Sequence, residues 1–185
     1  MRYPAEETAE KHRQILEQAS ALFRERGFSG VSVSEIMKAT GLTHGTFYHH
    51  FDSKDALIAQ SLGDASGKAL ASMEDAKAST ELMQQYIQEY LTTAHRDNCG
   101  VGCLMSALGS EVAREPSVRP TFTRHVKAMI EIMAEPFKTA KKRNARRRAI
   151  HHMSTMVGAM ILARAVDDPA LSEEILREAR TVLAD

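Results

Sequence analysis

Ser32-Val-Ser-Glu-Ile-Met-Lys-Ala-Thr-Gly-Leu-Thr-His-Gly-Thr-Phe-Tyr-His-His-Phe-Asp-Ser-Lys54 reads as two short helices around a glycine turn. Ser32, followed three residues on by Glu35, forms a capping box in which each side chain satisfies a backbone N–H that lacks an intrahelical partner. That helix runs to about Thr40. Gly41 accepts the left-handed conformation that ends a helix without a Cβ clash, and Leu42 turns back as an apolar plug. Thr43 caps a second helix through Phe51. Phe47 and Phe51 face its inner side, leaving Thr43, His44, Thr46, Tyr48, His49 and His50 outward to differing degrees. This is a helix-turn-helix. A tyrosine and adjacent histidines on an outward face fit a DNA groove better than a core, with a hairpin used only for packing as the competing reading.

Outward from this stretch, apolar residues recur at three and four, and no sustained two-residue alternation is present, which predicts an all-helical protein. The preceding segment puts Ile15, Ala19, Leu22 and Phe23 on one face and closes with Arg26-Gly-Phe28. A long helix is expected from about Ser53 to Lys77, then one from Thr80 to His95 with Leu82, Met83, Tyr86, Ile87, Tyr90 and Leu91 along it. A loop at Arg96–Gly102 precedes a helix from Cys103 to Arg114, which Pro116 stops. The next spans about Ser117 to Ala140, with Pro120 tolerable in its first turn and Pro136 expected to kink its end. The basic run Lys141–Arg148 reads better as a solvated loop and first helical turn than as a nucleic-acid contact. Two last helices, about Ala145 to Val166 and Ala170 to Leu183, are divided by Asp167-Asp-Pro169. Ile150, Met153, Val157, Met160 and Arg164 fall at heptad spacing on the first, with Ile161 beside them and Gly158 leaving room for close approach. Leu171, Ile175, Ala179 and Val182 repeat on the second.

The stretch Gly41-Leu-Thr-His-Gly-Thr-Phe-Tyr-His-His-Phe-Asp-Ser-Lys-Asp-Ala-Leu57 resembles the tetracycline-repressor (TetR) family of transcription regulators, and the motif similarity covers about residues 9 to 60. The resemblance implies a three-helix DNA-binding head over residues 1–52 and a helical effector-binding and dimerisation body over 53–185. It implies that the helix from Thr43 enters the major groove, with Ser34, Thr43, His44, Gly45, Thr46, Tyr48, His49, His50 and Lys54 as the DNA-binding set. By the resemblance Tyr48, His49, His50 and Lys54 hold phosphates; because early helix residues reach deepest into the groove, Thr43, His44 and His49 are expected to touch base edges, with Tyr48 and Lys54 mainly positioning the backbone. It further implies a homodimer through a four-helix bundle of the last two helices, at Ile150, Met153, Val157, Gly158, Met160, Ile161, Leu171, Ile175 and Val182. A small-molecule effector among the body helices is implied as well. Adaptable thioethers place that pocket at Met83, Tyr86, Tyr90, Cys103, Met105, Met129, Met133 and Met156, residues that serve equally well as core.

At 185 residues the chain can bury a substantial core, and 24 basic against 24 acidic residues give no net charge that would by itself advertise nucleic acid. No stretch approaches the apolar length of a membrane span, and Met1-Arg-Tyr-Pro-Ala-Glu-Glu is unlike a signal peptide, so a cytoplasmic protein with no membrane partner is expected. In a reducing compartment Cys99 and Cys103 would not form a permanent disulfide. Cys103, at an expected helix start, is the better placed of the two for thiolate chemistry, and both are redox-sensing candidates beside the plain reading as small buried residues. His95, Cys99 and Cys103 lack a clear fourth ligand, so no metal is assigned and no cofactor is expected. Without a Gly-rich phosphate loop, nucleophile elbow or HExxH there is no catalytic set. An enzyme using a pocket in the body and a helical adaptor without DNA binding remain the alternatives to a regulator.

Overall fold

The computed structural model describes residues 5–138 and 142–184, and every regular element among them is helical. Helix α1 (Ala5–Arg26), with Glu6 and Glu7 in its first turn and Arg24 and Arg26 in its last, complements its own dipole. It stops at Gly27, whose φ of 76° is left-handed. Helices α2 (Val33–Ala39) and α3 (His44–His50) follow, then α4 (Lys54–Ser72), α5 (Thr80–Tyr90), the single turn α6 (Thr93–Asp97), α7 (Leu104–Val112), α8 (Arg119–Ala134), α9 (Lys142–Ala165) and α10 (Pro169–Ala184).

Three stretches expected as continuous helices are broken, each for a local reason. The Ser53–Lys77 helix ends at Ser72, where the Met73 N–H tightens onto the Leu70 carbonyl at 3.1 Å, and a separate 3-10 turn forms at Ala76–Ala78. The Thr80–His95 helix ends at Tyr90 because Thr92 caps a new start, its hydroxyl accepting from the His95 N–H at 3.2 Å. The Ser117–Ala140 helix gives way at Ala134 to a 3-10 turn, Glu135–Phe137, since Pro136 has no N–H to continue the ladder. Positions 139 and 140 of that expected helix, and Lys141 of the basic run, lie outside the described residues. From Lys142 the run already belongs to α9. There Arg148 lies 4.5 Å over the Phe137 ring and Arg146 pairs with Glu131 at 2.5 Å, so these two arginines serve local packing.

Two apolar clusters hold the chain. One gathers Ile15, Ala19 and Phe23 of α1, Ile36 and Met37 of α2, and Phe47 and Phe51, and continues into Leu57, Ile58 and Leu62 of α4 and Leu104, Leu108 and Val112 of α7. The other fills the space between α5, α8, α9 and α10, with Met83, Ile87, Met133, Met160 and Leu176 at its centre. Phe122 packs against both. The first three helices therefore close their core with α4 and α7, so a shift of those helices bears directly on α1 to α3.

Candidate nucleic-acid interface and effector cleft

The helix-turn-helix forms by the bonds its sequence prescribes. The Ser32 hydroxyl accepts from the Glu35 N–H at 3.2 Å, and Glu35 accepts in return from the Ser32 N–H at 2.8 Å. Arg26 adds an ion pair to Glu35 at 2.8 Å. The Ser32 backbone bond, then Arg26 and the Ser32 hydroxyl, hold the Glu35 carboxyl down at about 2. At the other end Leu42 N–H donates to Met37 O at 2.9 Å and Gly41 N–H to Lys38 O at 3.1 Å, a Schellman closure with Gly41 at φ 71°. Phe47, 1% exposed and packed 5.6 Å from Phe51, fixes the rotation of α3.

With that rotation Thr43, His44, Gly45, Tyr48 and His49 are exposed, as is Ser34 on α2, while Thr46 and His50 are half-buried. Tyr48 is 66% exposed although its ring leans edge-on against Phe47 and His44. Thr43 caps α3 without a side-chain bond to its backbone; its hydroxyl instead meets that of Thr46 at 2.9 Å. His12 stacks on Phe51 at 4.6 Å and lies 5.7 Å from His50, whose pKa is pushed down by burial first and then by His12, His49 and Lys11. Lys54 is not a free cation: its ammonium donates to the Phe28 carbonyl at 2.6 Å, closing α4 against the end of α1.

The structure divides the expected effector pocket. Met83 is fully buried, and Met105, Met129, Met133 and Met156 surround a void of only 10 Å³, room for about one water. These methionines are core because α8 and α9 close on them. Tyr86, Tyr90 and Cys103 instead also line a cleft of 480 Å³ on the other side, walled by α1, α4, α5 and the turn that leads into α7. The segment from His95 to Cys103 is pinned there. His95 Nδ1–H donates to Tyr90 O at 2.7 Å and Nε2 accepts from the Cys103 N–H at 3.2 Å, and burial lowers its pKa, which suits the neutral ring. Arg164 of α9 donates to the carbonyls of Arg96 at 2.9 Å and His95 at 3.0 Å and to the Ser106 hydroxyl at 3.1 Å. Arg164 thus faces inward, although its spacing set it on the outer stripe.

Cys103 caps α7, half-buried, on the cleft wall. Cys99, expected in a flexible loop, lies in a 3-10 turn with its thiol donating to Arg24 O at 3.1 Å. Among the described residues no three His, Cys, Asp or Glu side chains are grouped so as to hold a metal ion, and no helix is long and apolar enough to cross a membrane.

On α9 and α10, Ile150, Ile161, Leu171 and Val182 are exposed, and Met153, Val157, Gly158 and Ile175 are half-buried. Met160 is corrected: at 0% exposure it belongs to the subunit's own core and offers no surface to a partner. Leu162, 56% exposed, was missed because the heptad frame left it off the stripe.

Residues 15–60, which span this helix-turn-helix, match the model of the bacterial regulatory proteins of the tetR family. Over those residues the chain is similar to the TetR family. Among curated relatives it is 26% identical over 129 residues to the HTH-type transcriptional regulator UidR of Escherichia coli K12, covering 70% of this chain and 65% of UidR, just under two thirds of that relative's length. It is 33% identical over 102 residues, half of each chain, to the HTH-type transcriptional repressor KstR2 of Rhodococcus jostii. The fold of NemR of E. coli, in its reduced form, superposes with a TM-score of 0.80 at 21% identity, over 94% of this chain and 95% of that one.

Proposed function

We propose that this protein is a homodimeric, DNA-binding regulator of transcription, a repressor that leaves its operator when a small molecule binds in the helical body. Residues 1–52 act as the DNA-binding unit and 53–185 as the effector-binding and dimerisation unit, which suits a cytoplasmic protein. The outer face of α3 carries the reading. Tyr48 stands 66% exposed, and a Cβ added at Gly45 would meet no atom within 4 Å. A glycine in the first turn of a helix is unfavourable, and nothing in the subunit calls for it, so its use lies with a surface that approaches the backbone closely. DNA in the major groove is such a surface. Ile150, Ile161, Leu162, Leu171 and Val182, all exposed on α9 and α10, are the apolar surface that a second copy would cover. Two copies would set two recognition helices about 34–36 Å apart on one DNA face. Modification of Cys103 is a second route to release, since the thiol lies on the wall of a cleft that a reagent can enter.

The experiment is selection of genomic fragments by the purified protein, followed by titration of the selected duplex at several salt concentrations. An affinity that falls steeply with salt and is much higher for a recurrent inverted repeat supports the reading. No enrichment, or equal affinity for any duplex, overturns it in favour of a helical adaptor.

A further inference from the structure

Arg24, in the last turn of α1, lines the cleft between α1 and α5, half-buried and without an ion-pair partner among the described residues. Its Nε donates to Ser20 O at 3.2 Å and its Nη1 to Gly102 O at 3.0 Å, so carbonyl oxygens hold the guanidinium without neutralising it. Nη2 meets no acceptor among the described residues. Burial pushes the Arg24 pKa down, as expected of a cation drawn out of water. An uncompensated charge of this kind is costly, and such sites are kept where a ligand brings the opposite charge.

The other charges of the lining are already met. Lys68 pairs with Asp64 at 3.1 Å and with Glu17 at 3.2 Å, while Glu89, exposed, accepts from Gln85 Nε2 at 2.9 Å. Burial raises the pKa of Tyr86 and Tyr90 and lowers that of His95, so all three are neutral near pH 7. Arg24 is the cation that this lining leaves for an anion. Ala21, Ala65, Ala69 and Val101 with the Tyr86 ring supply apolar surface beside it, and the 480 Å³ of the cleft falls in the range of small-molecule sites.

We propose that this cleft, rather than the methionine core, is the effector site, and that it takes a small organic carboxylate whose oxygens lie on the Nη1–Nη2 edge of Arg24 while its apolar body rests on the alanine wall. The planar fork of a guanidinium matches the two oxygens of a carboxylate. The proposal rests on the regulator reading above and gives it a route. Arg24 sits on the helix that leads into the helix-turn-helix and holds the turn before α7 through Gly102 O, so an anion drawn onto it acts at the joint between head and body. A ligand that favours a different seat of α1 on the body opposes DNA through one coupling free energy.

The test uses 1-naphthoate as probe and 1-naphthamide as its neutral isostere, with binding measured by calorimetry on the full-length protein without DNA. Micromolar binding of the acid and at least tenfold weaker binding of the amide are expected. Arg24→Gln should bring the two probes to within about twofold of each other by weakening the acid, and Arg24→Lys, which keeps a charge at the turn without the fork, should reduce the preference at least threefold even if the Gln variant does not fold. Ala69→Phe should abolish binding of both probes by filling the cleft. Equal affinity of acid and amide for the parent, a preference that survives in the Arg24 variants, or a loss that falls on both probes alike in those variants overturns the site. Displacement of the selected duplex by 1-naphthoate is read separately. Binding that never releases DNA overturns the effector role while leaving the regulator reading in place, and a protein that binds no specific duplex overturns the latter alone.

Discussion

Glu111 on α7 accepts a hydrogen bond from the Phe28 backbone N–H at 2.6 Å, and its carboxylate occupies the place a Cβ on Gly27 would take, 2.0 Å from Oε1. The body thereby grips the head at the point where α1 ends. Gly27 is required twice, by its φ of 76° and by this close approach. Glu111→Ala should cost about 1–3 kcal/mol by leaving a backbone donor unpaired, and should raise amide exchange around Phe28 more than in α9. Unchanged exchange at Phe28 would show that the contact holds nothing.

Gly45→Ala separates folding from DNA binding. The new methyl group meets nothing in the subunit, so the variant should be more stable by up to about 1 kcal/mol. Its affinity for the selected duplex should nonetheless fall about tenfold, equivalent to about 1.4 kcal/mol. A stabilised variant that binds DNA as tightly as the parent would move the groove-facing surface off the start of α3. Within the same helix, His44→Ala should alter preference among operator variants, while Tyr48→Phe should weaken all of them alike.

The head was legible in the sequence because its determinants are local. The Ser32–Glu35 box, the Gly41 closure and the Phe47–Phe51 pair each act within a few residues, and each is present. What escaped depends on distant segments. Lys54, expected on phosphate, is bound to Phe28 O from 26 positions away, and Arg24 meets the turn at Gly102 from 78 away. Periodicity marks methionines as apolar but cannot tell a lined cavity from a packed one, so the methionine pocket and the inward turn of Met160 required the fold.

Gly158 offers a cleaner test of the dimer than Met160. A Cβ at Gly158 meets no atom of its own subunit within 4 Å, so Gly158→Glu should fold normally and fail only where a partner helix lies against it. Met160→Glu would bury an unpaired charge inside one subunit and unfold it whatever the assembly. Sedimentation should find Gly158→Glu and Leu162→Glu monomeric with intact helicity. Dimers in both would place the interface away from α9.

Stability should fall with pH below neutrality through the buried histidines. Burial first, then Arg148 and His151, hold His152 down to about 4, and its Nδ1 has no partner. The unfolded chain takes the proton near 6.5 and the folded one only near 4, so the contribution is complete above 6.5 and is lost as pH falls from 6.5 toward 4. His50, His95 and His125 are shifted the same way by burial. The melting temperature should drop between pH 7 and pH 5, and His152→Gln should flatten that slope whatever its baseline stability. A curve that is level over this range in the parent contradicts the assignment.

Cys103 should react before Cys99. Both thiols are half-buried, but Cys103 lines the open cleft at the start of α7, whereas Cys99 is turned onto Arg24 O at 3.1 Å. Iodoacetamide labelling read by peptide mass should show Cys103 modified several-fold faster. Oxidation that joins the two sulfurs would withdraw the Cys99 contact from α1, and with it one tie between head and body. Mild peroxide should therefore lower operator affinity reversibly in the parent and leave Cys103→Ser unaffected. A Cys99→Ser, Cys103→Ser double variant that still responds to peroxide would show that neither thiol is the sensor and would move the response to other oxidisable side chains such as the methionines.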